Sequence, residues 1–330
     1  MLRLFWFLLL FHGLTIAADG RDIATLANSP EELARFVNTN DDFDWGPLWK
    51  ALKVRTYVAF TYDGELFLPP CESDSHGMAP CSGELIGVDP LQTVLVLEHK
   101  LSGFRVFLRY ERSNDGAWQF SGAYEPFAKY FPLTHRLIHL GTKPFLIVTE
   151  QGAAGTGLSS MIESWFDLTR KNFEPALRFT SAVEYETYAK GIGRNTTGKV
   201  VAITAQPVDR VTVDYRVEFE GYGTDGDRIP VGSRRDRVVY TRTSSGIFDL
   251  DQKLSTVGSS EVKAFYDFSK ADFDAVEFLK FNFRKLREIA GGNGGNPKSR
   301  AWLTEFLQSG IDTPEARQLR TLLTALRKIK

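Results

Sequence analysis

Apolar and polar positions alternate through the middle of the chain, most clearly over residues 211–220. There, apolar side chains occupy every second position, and charged or hydroxyl-bearing side chains stand between them. A period of two with one apolar and one polar face is typical of a half-buried antiparallel strand. Asp63-Gly64 joins two further runs and is the strongest hairpin signal, because Asp-Gly suits a two-residue turn. Hairpins are also predicted around the turn sequences at 113–116, 141–144 and 244–246.

Helical patterns occur only near the two ends of the chain. Residues 29–38 begin with Ser29-Pro30 and place Glu32 three positions after the serine, which is a helix-start signature. Residues 272–290 carry apolar side chains at steps of three and four. Between these ends, residues 54–250 hold roughly a dozen strand-like runs and none of the long helices that parallel strands require.

The pattern as a whole predicts a β-dominated α+β fold with an N-terminal helix and a helical C-terminal extension. The strands form an antiparallel meander closed as a sandwich or a barrel. A small propeller is the less favoured alternative, because no motif returns at a fixed period. We expect one mature β-rich domain over residues 19–290, which closes with the helix at 272–290.

A glycine-rich linker at 291–298 and a helical hairpin at 299–330 follow this domain. The linker holds four glycines and two asparagines, a composition typical of flexible segments. The last helix has a narrow apolar seam that needs a surface to pack on, formed by Leu319, Leu322, Leu326 and Ile329. The favoured surface is the chain's own β domain, and a partner protein or a second copy is the alternative.

Residues 1–18 have the three parts of a secretory signal peptide. Met1-Leu2-Arg3 is a short cationic start, residues 4–11 are apolar, and small residues precede a cleavage point after Ala17 or Ala18. A membrane anchor would need about 20 apolar residues. We therefore expect an exported protein, periplasmic or extracellular, without an integral membrane segment.

Cys71 and Cys81 are the two cysteines of the chain. In an oxidising compartment an even pair this close is expected to form a disulfide. The residues between them include Gly77 and Pro80 and several small polar side chains, which indicates an exposed loop. A redox site would show closer spacing, such as C-x-x-C, which is absent.

Four local motifs resemble known sites, but each lacks a feature that its chemistry requires. Residues 152–157 have the glycine spacing G-x-x-G-x-G instead of the dinucleotide spacing G-x-G-x-x-G, and a hairpin explains them. Residues 260–263 match S-x-x-K without the companion K-T-G. His135 and His139 lie in a strand-like run, where four residues span about 13 Å, too far for one metal ion. Residues 225–227 offer fewer oxygen ligands than calcium needs. The sequence predicts no cofactor and no metal.

The chain has a formal net charge of −1, which becomes about −2 when Arg3 is removed with the signal segment. Nucleic-acid binders usually carry a basic excess, so we expect no nucleic-acid partner. Asn195-Thr196-Thr197 is a glycosylation sequon in an organism that glycosylates.

Two functional hypotheses remain. The favoured one is a non-catalytic binding or envelope-associated protein with an unknown protein or glycan partner. The alternative is a secreted hydrolase whose carboxylates converge only in the fold. The carboxylates available for it are Glu163, Asp167, Glu184 and Glu186.

Overall fold

The computed structural model describes residues 22–39, 46–54, 57–61, 64–68, 81–99, 105–126, 133–155, 157–189, 192–205, 209–223, 226–258, 262, 275–293 and 297–327. Residues 1–18, with the expected signal peptide, lie outside these ranges, and so does Cys71. The chain divides into two compact units at Glu125 and Pro126. The sequence pattern does not indicate this division, because strand-like runs continue on both sides of it.

The N-terminal unit has three short helices followed by antiparallel strands. Its elements are α1 Ile23–Ala27, α2 Pro30–Thr39, α3 Gly46–Ala51, the hairpin of β1 Tyr57–Thr61 and β2 Gly64–Leu68, and a four-stranded meander of β3 Cys81–Asp89, β4 Gln92–His99, β5 Arg105–Arg112 and β6 Trp118–Tyr124. The helix predicted after Ser29 is α2. Its apolar side chains Leu33 and Phe36 lie in one buried cluster with Leu95 and Leu108 of the meander.

The C-terminal unit is an eight-stranded antiparallel meander followed by three helices. The strands are β7 Thr134–Leu140, β8 Lys143–Gly155, β9 Leu158–Asp167, β10 Leu177–Ala189, β11 Ile192–Thr204, β12 Arg210–Tyr222, β13 Arg228–Arg242 and β14 Phe248–Leu250. They pair in strict chain order, from β7 at one edge to β14 at the other. The helices are α4 Ala275–Ala290, α5 Pro297–Gln308 and α6 Pro314–Arg327.

The eight-stranded sheet is strongly curved. Asp167 at the end of β9 forms an ion pair with Arg242 at the end of β13, although three strands separate these two in the sheet. The backbone N–H of Phe248 donates to the carbonyl of Ala176 at 2.8 Å. The ring of Phe248 also lies 6.3 Å from that of Phe145 on β8. Curvature therefore buries the aromatic side chains of both halves of the sheet against each other.

The predicted fold class is confirmed: the chain is β-dominated, its sheets are antiparallel, and helices stand at both ends. Residues 211–220 lie in β12, whose odd-numbered side chains from Val211 to Phe219 are all buried. The hairpins predicted around 63–64, 113–116, 141–144 and 244–246 are all present. No described sheet closes into a barrel.

Helices α4 and α5 pack on the sheet of their own unit, and α6 packs on these two helices. Trp302 of α5 is 1% exposed, and a Cβ atom added to Gly221 of β12 would lie 2.1 Å from its indole nitrogen. The seam residue Leu319 is buried in the same cluster as Val213 and Phe219. Thus the apolar seam of the hairpin completes this unit's core.

The start of α5 differs by two residues from the prediction. The predicted helical hairpin begins at residue 299, but α5 begins at Pro297, because proline suits the first positions of a helix. Ser299 instead lies inside the helix, and its hydroxyl donates to the carbonyl of Pro230 at 2.7 Å. This bond fixes α5 to β13.

Candidate functional site

The two carboxylates of β9 do not form a catalytic pair. Glu163 accepts hydrogen bonds from Arg136 and from the indole N–H of Trp165, both at 3.0 Å. Asp167 pairs with Arg242. The two carboxylates are four residues apart on one face of a strand, which corresponds to about 13 Å. Each has its own arginine and serves the packing of the sheet.

Glu184 and Glu186 lie two residues apart on β10, beyond the β-bulge near Ser181. Glu184 is exposed and Glu186 is half-buried. In the strand register Glu163 is opposite Phe179 and Glu184 is opposite Ser159. Neither Glu184 nor Glu186 is therefore paired with a carboxylate of β9. The four carboxylates of the hydrolase hypothesis therefore do not converge on one point.

The histidines and the glycine-rich segment lie where the sequence analysis expects them. His135 and His139 are both on β7, paired with Val148 and Pro144 of β8. Gly155 and Leu158 close the turn between β8 and β9, so the glycine-rich segment belongs to a hairpin. No group of three or more metal-ligating side chains occurs in the described part of the chain.

The remaining motifs lie in turns, in a central strand or outside the described ranges. Gly226, with φ +83°, forms the tight turn between β12 and β13. Asn195 is on β11, where its backbone pairs with Glu186 and Glu220. Ser260 and Lys263 lie outside the described residues.

A cleft of about 490 Å³ runs between β13 and α4 in the C-terminal unit. Consecutive residues of β13 form one wall, and the exposed side of α4 forms the other. Five basic and two acidic side chains line it, a surplus of three positive charges. The basic ones are Arg234, Arg235, Lys280, Arg284 and Lys285, and the acidic ones are Asp236 and Glu288.

Arg234 joins the two walls of the cleft. Its Nε donates to Asp236 at 2.9 Å, and Nη1 donates to the backbone carbonyl of Phe281 and, at 3.2 Å, to the side-chain oxygen of Asn282. The guanidinium carbon lies 3.7 Å from the ring centroid of Phe281, a cation–π arrangement. This side chain therefore fixes α4 against β13 and gives the cleft a rigid floor.

Both carboxylates of the cleft are neutralised by neighbouring cations. Asp236 pairs with Arg234, and Glu288 pairs with Lys285 at 2.8 Å. Arg235, Lys280 and Arg284 make no ion pair within the described ranges. These three side chains carry the surplus charge of the cleft.

Arg235 also ends a row of cations on the outer face of the sheet. In the strand register, Lys199 of β11 is opposite Arg216 of β12, which is opposite Arg235. Like charges at directly opposite positions destabilise a sheet. The next arginine on this face of β13, Arg237, instead pairs with Asp214 at 2.7 Å, and this hydrogen bond raises the pKa of its guanidinium. Within the row, Arg216 pairs with Glu218 at 2.7 Å, so Lys199 and Arg235 are its members without an ion pair in the described residues.

The cleft is not evident from the net charge, because that number averages over the whole chain. Two signals were available. Arg234-Arg235 stands within an alternating strand pattern, and Lys280 and Arg284 stand four residues apart in a helical pattern. What the sequence does not give is that the strand and the helix are neighbours.

A second depression, in the N-terminal unit, has the opposite charge. Asp22, Glu31 and Glu32 line it together with Trp118, whose indole N–H donates to Glu31 at 2.9 Å. The depression is open, and the guanidinium of Arg112 already lies 4.5 Å from the centroid of the Trp118 ring. We regard it as a solvated face of α2.

Comparison of the chain with protein-family models, with curated proteins and with solved structures finds no significant match. None of the described helices is long and apolar enough to cross a membrane.

Proposed function

We propose that this chain is a non-catalytic binding protein whose cationic cleft holds an anionic ligand. The observation that carries the proposal is the set of three cations, Arg235, Lys280 and Arg284, beside one cleft of an acidic chain. Concentrated charge of one sign in a cleft raises the local concentration of oppositely charged ligands. The cleft volume of about 490 Å³ also falls in the range that ligand sites commonly have.

The hydrolase alternative has weaker support. Paired carboxylates of glycoside hydrolases stand about 5–9.5 Å apart, with one of them protonated or nucleophilic. Glu163 and Asp167 are farther apart along β9, and each is neutralised by an arginine. We therefore favour binding over catalysis.

The charges on α4 provide the test of this proposal. We expect Lys280→Gln combined with Arg284→Gln to weaken binding of an anionic probe by about tenfold to a hundredfold, because a hydrogen bond to a charged group contributes about 1.5–3 kcal/mol. The probes are hexaglutamate, inorganic polyphosphate and the sulfated glycan heparin, titrated calorimetrically at low salt. A ligand held by charge should also bind more weakly as salt increases.

The matched control removes the same number of charges elsewhere in the same unit. Lys171 and Lys298 are exposed and do not line the cleft. Lys171→Gln with Lys298→Gln should leave binding within a factor of about two, since screening weakens distant charges. The proposal fails if the three probes do not bind, or if both double variants lose affinity equally.

We further propose that the chain is exported after removal of residues 1–17 or 1–18, so that the mature protein begins at Ala18 or Asp19. The support is the three-part pattern of the first 18 residues. N-terminal sequencing of material from the exported fraction is the test, and an intact Met1 in that fraction would refute it. The same sample should show Cys71 and Cys81 linked in one peptide pair, with both resistant to alkylation before reduction.

A further inference from the structure

The cationic cleft follows the outer edge of β13. The four consecutive residues 233–236 all line it. Successive side chains of a strand point to opposite faces of the sheet. Asp236 shares the face of the buried Val238, whereas Ser233 and Arg235 lie on the other face and are exposed. A cleft that reaches side chains of both faces must pass along the backbone edge between them.

The backbone of β13 presents its odd-numbered residues to this edge. The backbone N–H of Arg242 donates to the carbonyl of Asp209, the residue just before β12. The N–H of Arg242 therefore points toward β12. In antiparallel pairing, the hydrogen-bonding direction alternates from one residue to the next. The N–H and C=O groups of residues 233, 235, 237 and 239 therefore point away from β12.

The chain itself occupies the upper part of this edge. The N–H of Thr256 donates to the carbonyl of Arg237 at 2.9 Å, and the N–H of Arg237 donates to the hydroxyl of Thr256 at 2.7 Å. The N–H of Val239 donates to the hydroxyl of Ser255 at 2.9 Å. These contacts confirm the direction of the odd-numbered groups. Within the described ranges, no such bond is made at the outer edge by Ser233 or Arg235.

We propose that the edge of β13 at Ser233 and Arg235 accepts an extended acidic segment of a partner protein as an added strand. The inference rests on the proposed function and names its ligand class. Main-chain hydrogen bonds to Ser233 and Arg235 would supply the pairing, as in other cases of strand addition. The acidic side chains at alternate positions of the segment would lie on one face, toward Lys280 and Arg284 of α4. Charge complementarity selects an acidic segment over a neutral one.

The experiment compares peptides that differ only in their backbone. The probe is a capped hexapeptide of alternating threonine and glutamate, titrated against the full-length mature chain. Two further peptides have the same sequence with N-methyl groups on every second amide. One is methylated at the odd-numbered positions and the other at the even-numbered positions. We expect one of these two to lose about tenfold in affinity and the other to bind like the parent, because an added strand uses every second amide. Equal affinity for all three peptides would overturn strand addition.

A variant tests the same point from the protein side. Ser233→Pro removes the outward N–H of residue 233 without changing any charge, and proline is tolerated at the free edge of a strand. This variant should bind the hexapeptide about tenfold more weakly, and its affinities for heparin and polyphosphate should be unchanged. If Ser233→Pro weakens all three probes or none, the strand-addition proposal is wrong. If Lys280→Gln with Arg284→Gln weakens binding of every probe while N-methylation has no effect, the cleft is a site for anions. That result would refute only strand addition by a peptide.

Discussion

Trp302→Ala is expected to destabilise the C-terminal unit by about 3–5 kcal/mol, the range for loss of a fully buried large aromatic side chain. Trp302 is 1% exposed, its ring stacks on Phe306 at 5.0 Å, and it meets the edge of Phe278 at 6.1 Å. It is the contact through which α5 covers the sheet at Gly221. Urea denaturation followed by circular dichroism measures the change.

Glu305→Ala is the matched control for Trp302→Ala. Glu305 lies on the same helix and is exposed, so its replacement should change the free energy of unfolding by less than about 0.5 kcal/mol. Equal midpoints for Trp302→Ala and Glu305→Ala would mean that α5 does not complete the core.

A double-mutant cycle identifies the contact. Gly221→Ala by itself should destabilise the unit, because the added methyl group would overlap the indole of Trp302. In the double variant Gly221→Ala with Trp302→Ala, the added methyl group would occupy the space that the indole leaves. The two changes should therefore cost less together than the sum of their separate effects. Strict additivity would contradict direct contact.

Asp167→Asn is expected to destabilise the chain by about 3–5 kcal/mol, the range for breaking a buried ion pair from one side. The side chain of Asp167 is 0% exposed and that of its partner Arg242 is 11% exposed. Asp167 also accepts from the backbone N–H and the hydroxyl of Thr169, at 3.0 and 2.6 Å. Without the carboxylate, Arg242 keeps a buried charge with no counter-charge from β9. The free energy of unfolding in urea at neutral pH measures the cost.

Glu163→Gln makes the same chemical change at the other carboxylate of β9. Its partner Arg136 is 47% exposed, so water can solvate the guanidinium once the negative charge is gone. The glutamine oxygen can still accept from the indole N–H of Trp165. The expected cost is about 1 kcal/mol or less, because exposed ion pairs contribute little. A cost as large as that of Asp167→Asn would mean that burial does not decide the strength of these pairs.

The hairpins could be predicted from the sequence because their signals are local. A two-residue alternation places side chains on opposite faces whatever the strand pairs with, as in β12. Turn chemistry fixes which runs are joined, as with Gly116 at φ +83° between β5 and β6. The helix starts at Ser29 and near Pro297 depend on caps and proline geometry within a few residues. For these reasons the predicted fold class agrees with the structure.

The division at Glu125 and Pro126 has no such signal. Both meanders consist of strand-like runs joined by short turns, so their sequences do not differ in pattern. Only the contacts among strands separate them into two units. The seam of α6 likewise indicated that a surface was needed, and the structure shows that α4 and α5 of the same unit form that surface.

The cleft is the clearest example of a feature that local sequence patterns do not predict. Residues 233–236 and Lys280 are more than forty positions apart, and each set by itself is a solvated charged face. They become one site only because Arg234 binds the carbonyl of Phe281 and fixes α4 beside the edge of β13. The sequence by itself determined the strands, the turns and the helices, since their physics acts over a few residues. Tertiary packing decided which charges gather without counter-charges, because electrostatic interactions depend on distance in space and not on distance along the chain.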